Sequence, residues 1–422
     1  KMGLLRRLWT RSTQCKALEQ SSGKFETLFF ESVYRVTYFA GLAHLDNTIL
    51  YTIYSGLLKL SIGFLIICET WALFTDSTTL DEIIDNVNVT LMHFIALYRY
   101  KNMRENKEIY KKLAAAMESP YFNIASKKRK KFVNFWAQRN ERFLRLLLIL
   151  GHCTLGAWHI YPLVDDIEYN LMVSAHFPFN YQTPMRFLIF YVIVLVVFNF
   201  ASLFVMVNDL IMQAHLMHLL CQFSILQDCF EEIINDCLEE DQKNVQRKLM
   251  ITEEFKEKYL KKLSDLVQQH TFILNNTKEL RESLSAPMLG QLAASAMLIC
   301  FVGFQATQFA FLQAGGPSNV KFYMSLLYLM YNLFELFIFC KWCDEIKLQS
   351  VNISNSVYCS GWENGIAAIP GVRARLLLVA TRASKPIVLT AGGLFDLSLA
   401  SYTTLVKTSY SAITVLRRFQ HN

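Results

Sequence analysis

Long apolar stretches recur along this 422-residue chain, and they constrain it more than any other feature. A bilayer core of ~30 Å needs roughly 20 apolar residues in helical form. Residues 49–74, 187–207, 286–312 and 320–340 meet that length cleanly. Residues 143–164 do so while carrying His152 and His159, and residues 83–98 form a shorter, semi-polar stretch with Asn86, Asn88 and His93. The last stretch, 386–416, is long enough but rich in Ser and Thr. The chain is 53% hydrophobic and only 18% charged, where soluble domains run nearer a quarter charged. The expectation is an all-α membrane protein with seven transmembrane helices.

Orientation follows from Lys and Arg in short loops, which stay on the cytoplasmic side. Basic residues crowd the segment before the first span (Arg6, Arg7, Arg11, Lys16, Lys24). They crowd the connection between the second and third spans, with its run at 127–131, and the segment before the last span, with Arg373, Arg375 and Arg382. The alternate connections carry Asp76, Asp81, Glu82, Asp165 and Asp166. This pattern predicts a cytoplasmic amino terminus and an extracellular carboxyl terminus. Residues 1–24 lack the apolar core of a secretory signal peptide, so the first span is expected to act as a signal anchor.

The expected organisation runs as follows. Residues 1–47 are a cytoplasmic leader with an amphipathic helix at 24–42. Residues 48–207 hold spans one to four. Residues 208–285 extend helices four and five into a cytoplasmic anchor domain, because apolar positions recur there at helical spacing. Residues 286–340 hold spans five and six, 341–385 add a cytoplasmic anchor helix, and 386–422 hold the last span. The run at 127–131 reads as an anchor to the acidic inner leaflet.

The last span is the most informative. Thr404, Thr408, Ser411 and Val415 fall on one stripe at helical spacing, with Phe419 one turn further on. Small hydroxylated residues permit close helix packing. They are equally suited to lining a water-filled path, and a polar stripe ending in an apolar residue is what a pore with a hydrophobic gate requires. Spacing alone leaves both readings open.

The tail also carries a signature. It comprises Pro386-Ile-Val-Leu-Thr390-Ala-Gly-Gly393, Leu397-Ser-Leu399, Leu405-Val-Lys407-Thr-Ser409-Tyr410-Ser411 and Thr414-Val-Leu416-Arg417, preceded by Trp362 and Ile369-Pro370. This resembles the carboxyl-terminal signature of insect odorant receptors over roughly the last sixty residues. The family's shared co-receptor has a large insertion before the fifth helix, where this chain has only 239–250. It therefore resembles a ligand-tuned subunit. The resemblance implies a ligand-gated, non-selective cation channel in olfactory neuron membranes. Four subunits, co-receptor among them, would surround a pore lined by the seventh helix, with the gate at Val415. Arg417 and Arg418 depart from the charge expected near a cation exit.

The resemblance places ligand within each subunit, among helices two, three, four and six. Candidate lining residues are Val87 and Leu91 on the second helix and Gly151, Thr154 and Trp158 on the third. Phe190, Tyr191 and Phe198 on the fourth and Tyr328 and Tyr331 on the sixth complete the set. For any one of them core packing is the simpler account. As a set they describe a mostly apolar site that no carboxylate or basic residue reaches, suited to a small neutral volatile molecule.

Competing classes find less support. A heptahelical G-protein-coupled receptor would start outside, and Asp-Arg-Tyr and Asn-Pro-x-x-Tyr are absent from the third and seventh spans. No internal repeat supports a secondary transporter; a gustatory-type receptor would end in a shorter motif. No phosphate-binding loop, metalloprotease motif or nucleophile elbow is present, so no enzyme, cofactor or nucleic-acid role is expected. Cys340-Lys-Trp-Cys343 is a lone pair without the second pair that zinc would want.

Overall fold

The computed structural model describes residues 2–75, 80–164, 169–238, 252–311, 317–363 and 365–421. The chain is almost entirely helical. In chain order the helices are α1 (Met2–Ser12), α2 (Lys16–Glu19), α3 (Lys24–Phe39), α4 (Ile49–Thr75), α5 (Leu80–Glu105), α6 (Lys107–Ala114), α7 (Lys127–Val164), α8 (Pro184–Glu231), α9 (Ile233–Cys237), α10 (Glu253–Phe311), α11 (Pro317–Tyr358), α12 (Val372–Ala383) and α13 (Leu399–His421). Five of them, α4, α7, α8, α10 and α11, contain windows long and apolar enough to cross a membrane. α5 and α13 have the length but not the apolarity.

Four helices overshoot the bilayer. At 1.5 Å per residue, the 38 residues of α7, 48 of α8, 59 of α10 and 42 of α11 span about 57, 72, 88 and 63 Å. The excess gathers at one end. There Gln227 on α8 donates to the Gln349 carbonyl on α11 at 2.9 Å, and Ser356 on α11 donates to Glu231 at 2.9 Å. α8 changes character along its length. Its first turns expose Leu188, Ile189, Val192 and Ile193, as a lipid-facing helix does. From Phe204 to Phe230 nearly every side chain is buried, so this half is the axis around which the others pack.

Three expectations need correction. First, no helix begins at Pro386. Residues 390–396 form a small hairpin, β1 (Thr390–Ala391) against β2 (Phe395–Asp396), with Thr390 opposite Asp396 and Ala391 opposite Phe395. Its turn is Gly392-Gly393 with φ of +61° and +70°, a left-handed geometry that glycine adopts without strain. Hydropathy averaging passed over these two breakers. Gly392 N donates to the Ser285 carbonyl at 2.8 Å, which ties the hairpin to α10. α13, at 23 residues or about 34 Å, still matches a bilayer core.

Second, the amphipathic helix expected at 24–42 ends at Phe39, and Phe29, Phe30 and Val33 on it are buried against α7 and α8. Third, the basic run at 127–131 is not uniformly exposed. Arg129 is buried and binds Asp228 at 2.9 Å and Asp236 at 2.7 Å, while Lys128 reaches Asp228 at 2.6 Å and Glu232 at 3.2 Å. These two residues clamp the start of α7 to the end of α8 and to α9.

α3 meets α8 at two histidines. Phe30 packs edge-on to His215 at 4.8 Å, and Phe29 packs edge-on to His218 at 5.1 Å. Burial and the neighbouring His215 push His218 down to about 3; burial lowers His215 as well. An unfolded histidine takes a proton below ~6.5, whereas the folded pair stays neutral well below that. Stability is therefore fully present above pH ~6.5 and falls as pH drops toward 3, by up to ~1.4 kcal/mol per pH unit per histidine. The melting temperature of detergent-solubilised protein should decline between pH 7 and pH 5. His218→Gln should flatten that slope; an unchanged slope would refute the account.

Candidate ligand cavity and pore face

Between α5, α7, α8 and α11 lies a cavity of about 70 Å³. Room for a water takes at least ~15 Å³, so the space holds a small organic molecule or a few waters. Its lining is Val89, Met92 and His93 from α5, Gly151, Thr154, Leu155 and Trp158 from α7, Phe198, Ser202, Val205 and Met206 from α8, and Tyr328 and Tyr331 from α11.

Helix periodicity builds the aromatic wall. Trp158 packs against Phe198 with ring centroids 5.8 Å apart and edge-on to Tyr328 at 6.0 Å. Gly151 supplies the room opposite. A Cβ there would come within 2.7 Å of the Met206 Sδ and Cε and 3.5 Å of Tyr331. Two of the hydroxyls are turned away from any ligand: Thr154 donates to the Leu150 carbonyl at 3.0 Å, and Tyr328 to the Asn88 carbonyl at 3.4 Å.

Six residues expected from sequence, Gly151, Thr154, Trp158, Phe198, Tyr328 and Tyr331, come together on this wall. Four do not. Val87 and Leu91 lie beside it on α5, where Val89, Met92 and His93 take their place. Phe190 stacks edge-on to Phe177 at 4.6 Å and to Phe179 at 5.0 Å, in an aromatic cluster nearer the start of α8. Tyr191 donates to the His159 carbonyl at 3.0 Å. The expectation that no basic residue reaches the site is overturned by His93. Its Nδ1 lies 2.8 Å from Glu69 Oε2 on α4, and both side chains are buried.

One turn beyond the cavity sits a charged knot. Arg99 Nη1 lies 2.5 Å from Asp209 and 3.7 Å from Glu335, and donates to Gln291 Oε1 at 3.2 Å. Gln291 in turn donates to Glu335 at 2.9 Å. Four helices, α5, α8, α10 and α11, meet at this point, and Tyr331 of the cavity stands one turn from Glu335 on α11. A second cavity of about 150 Å³ lies under α3, bordered by Glu26, Lys107, Glu108 and Lys111. It shares no residue with the first.

The stripe on α13 is also on the page. α13 seats Ser409 and Ile413 against α10, where Ser409 Oγ donates to the Ala296 carbonyl at 3.5 Å and Ile413 fits beside Gly303. The opposite face exposes Thr404, Thr408, Ser411 and Val415 together with Lys407, which the sequence reading passed over. Val415 is 50% exposed. The side chain of Phe419 lies outside the described residues. Among those residues no group of His, Cys, Asp and Glu is placed to hold a metal ion.

The model of the 7tm odorant receptor family matches residues 79–410, most of the chain and all four walls of the cavity. The chain belongs to that family. Over 388 residues the receptor is 23% identical to odorant receptor 13a of Drosophila melanogaster, covering 87% of both proteins. It is 19% identical over 361 residues to odorant receptor 10 of Aedes albopictus, covering 84% of this chain and 88% of that one. Its fold is similar to the insect olfactory receptor OR5 from Machilis hrabei, solved in complex with eugenol. The TM-score is 0.75 at 16% identity, over 94% of this chain and 100% of that one. The receptor is thus a helical membrane protein of olfaction, and not an enzyme.

Gly151 offers a direct test of the cavity's size. Met206 has a flexible end and can yield to a new side chain only by moving into the cavity. Gly151→Val should leave the receptor folded while weakening responses to bulky agonists more than to small ones. Equal responses across a size series would place the ligand elsewhere.

Proposed function

We propose that this receptor is the odorant-binding subunit of a heteromeric, ligand-gated, non-selective cation channel. It assembles with co-receptor subunits in the plasma membrane of olfactory sensory neuron dendrites, amino terminus in the cytoplasm and carboxyl terminus outside. The observation that carries the channel reading is the contrast between exposed faces. α4 turns Ile49, Leu50, Leu60 and Phe74 outward, as contact with lipid demands. α13 turns Thr404, Lys407, Thr408 and Ser411 outward. Polar and charged groups at bilayer depth are tolerated where a helix meets water or partner subunits. An α13 face of this kind suits a pore shared among subunits, narrowed at Val415.

The ligand reading rests on the cavity, which is mostly apolar, walled on one side by Trp158, Phe198 and Tyr328, and close to the position the family resemblance implies. Eugenol, the partner of the OR5 structure, is a small neutral aromatic molecule that sets the scale of what such a fold accepts. Opening requires that odorant bind the open arrangement more tightly than the closed one. The α13 helices would then separate and carry Val415 off the axis.

Recording odorant-evoked current from the receptor co-expressed with the co-receptor tests both halves. Trp158→Ala removes the largest wall of the cavity and should shift the dose–response curve by about ten-fold or more; an unchanged curve would refute this site. Val415→Ala should raise current in the absence of odorant, because a hydrophobic gate closes by excluding water. The effect is partial where co-receptor subunits complete the ring. Unaltered resting current and selectivity would argue against a gate there.

A further inference from the structure

The cavity has one polar feature that its aromatic wall does not explain. His93, 3% exposed, is held at Nδ1 by Glu69, which is fully buried. Glu69 has little other support. Its Oε1 has no hydrogen-bond partner, and the Asn86 amide donates to its backbone carbonyl, not to its carboxylate. The pair lies within α4 and α5 at bilayer depth. There an uncompensated charge costs several kcal/mol.

Proton arithmetic on this pair fixes what His93 offers a ligand. A carboxylate facing a neutral imidazole would place the only imidazole proton on Nδ1 and leave Nε2 bare. That state buries one net negative charge. The two net-neutral states are a protonated Glu69 donating to Nδ1 and a carboxylate facing an imidazolium. In both, Nε2 carries a proton. Electroneutrality in a low-dielectric setting therefore makes the free edge of His93 a hydrogen-bond donor. No hydrogen bond engages Nε2 among the described residues. Thr154 and Tyr328 have already committed their protons to backbone carbonyls. Ser202 and Tyr331 add hydroxyls, and Tyr331 Oη has no hydrogen-bond partner among the described residues, but their protons rotate about the C–O bond; His93 offers the donor whose direction the ring fixes.

We infer that the Glu69–His93 pair selects the ligand, and that the receptor takes small neutral molecules bearing one hydrogen-bond acceptor oxygen, such as a ketone, ester or ether, on an apolar body. This rests on the cavity being the odorant site. The aromatic wall supplies the affinity shared by all apolar volatiles of the right size; His93 supplies the difference between an oxygenated ligand and a hydrocarbon of the same shape. An apolar ligand leaves that donor unpaired, which is costly in a dry site.

The test uses shape-matched pairs: ketones or esters against the hydrocarbons in which a methylene or alkene replaces the oxygen function. Currents are recorded from the receptor with the co-receptor, alongside His93→Phe and His93→Gln, with surface expression measured for each. Wild type should favour the oxygenated member by about ten-fold or more, the scale of one buried hydrogen bond. His93→Phe should abolish that preference while keeping the hydrocarbon response. His93→Gln, whose amide reaches a position near Nε2, should restore part of it. Evoked currents with the same oxygen preference in His93→Phe would overturn this inference and leave the proposed function standing. Equal loss of both ligand classes in His93→Phe and His93→Gln at normal surface expression would overturn it too, since a packing role does exactly that. No current with any volatile in wild type would overturn the proposed function, and this inference with it.

Discussion

Arg99 is the point at which the receptor's helices are joined. Its guanidinium is fully surrounded by protein, between two carboxylates and an amide from three other helices. Bringing three charges out of water is expensive, and mutual attraction offsets the expense only when the geometry is good and the remaining donors are engaged. Gln291 meets that need by accepting from Arg99 and donating to Glu335. Arg99 also lies 5.9 Å from the ring of Phe339, a further favourable contact for a cation. Removing the arginine alone would strand Asp209 and Glu335. The knot therefore specifies one relative placement of α5, α8, α10 and α11 more tightly than interchangeable apolar contacts could.

That placement matters because each helix leaving the knot has a task. α5, α8 and α11 form three walls of the cavity one turn away, and α10 carries the hairpin and α13. Tyr331 faces the cavity at one end of a single turn whose other end is Glu335. Tyr331 at the cavity and the seat of α13 are thus separated by a few directly bonded groups: Glu335, Gln291 and the body of α10. Packed interiors shift between discrete arrangements more readily than they deform continuously, so a network with one good geometry is suited to reporting occupancy of the cavity.

How far the sequence revealed this depends on which way each helix turns its polar face. α4, α7, α8, α10 and α11 were legible because lipid requires apolar exteriors, and hydropathy reads exteriors. α5 is inverted. It buries Asn86, Asn88, Thr90 and His93 and exposes Ile83, Phe94 and Leu97. Choosing apolar positions on α5 therefore selects residues beside the cavity, such as Val87 and Leu91, and passes over His93. Arg99 is obscured for a related reason: by hydropathy it falls in the basic connection after the second span, yet it is a buried residue at a helix crossing. On α7 and α11, apolar and aromatic residues do face inward, and Gly151, Thr154, Trp158, Tyr328 and Tyr331 were found from spacing and resemblance. A partner on another helix, such as Glu69 on α4 for His93 on α5, leaves no trace in local pattern.

α13 is polar for the opposite reason to α5, and the two should not be treated alike. α5 keeps its polar groups inside one chain, where Asn86, Thr90, His93 and Arg99 find partners within the chain. α13 presents its polar groups outward, where nothing among the described residues covers them. Thr404, Thr408 and Ser411 donate their hydroxyl protons to the carbonyls of Ala400, Thr404 and Lys407 at 3.0, 2.9 and 3.0 Å. With the protons directed along the helix, the outward lone pairs form a row of acceptors one turn apart, an arrangement that favours cations over anions. Lys407 interrupts that row with a positive charge on the same face. In a mixed assembly each copy of this chain would bring one such lysine, whereas the acceptor row could continue on neighbouring subunits. On the channel reading proposed above, the balance between those two terms, and not a hydrophobic ring at Val415 alone, sets how readily a cation passes when the helices part.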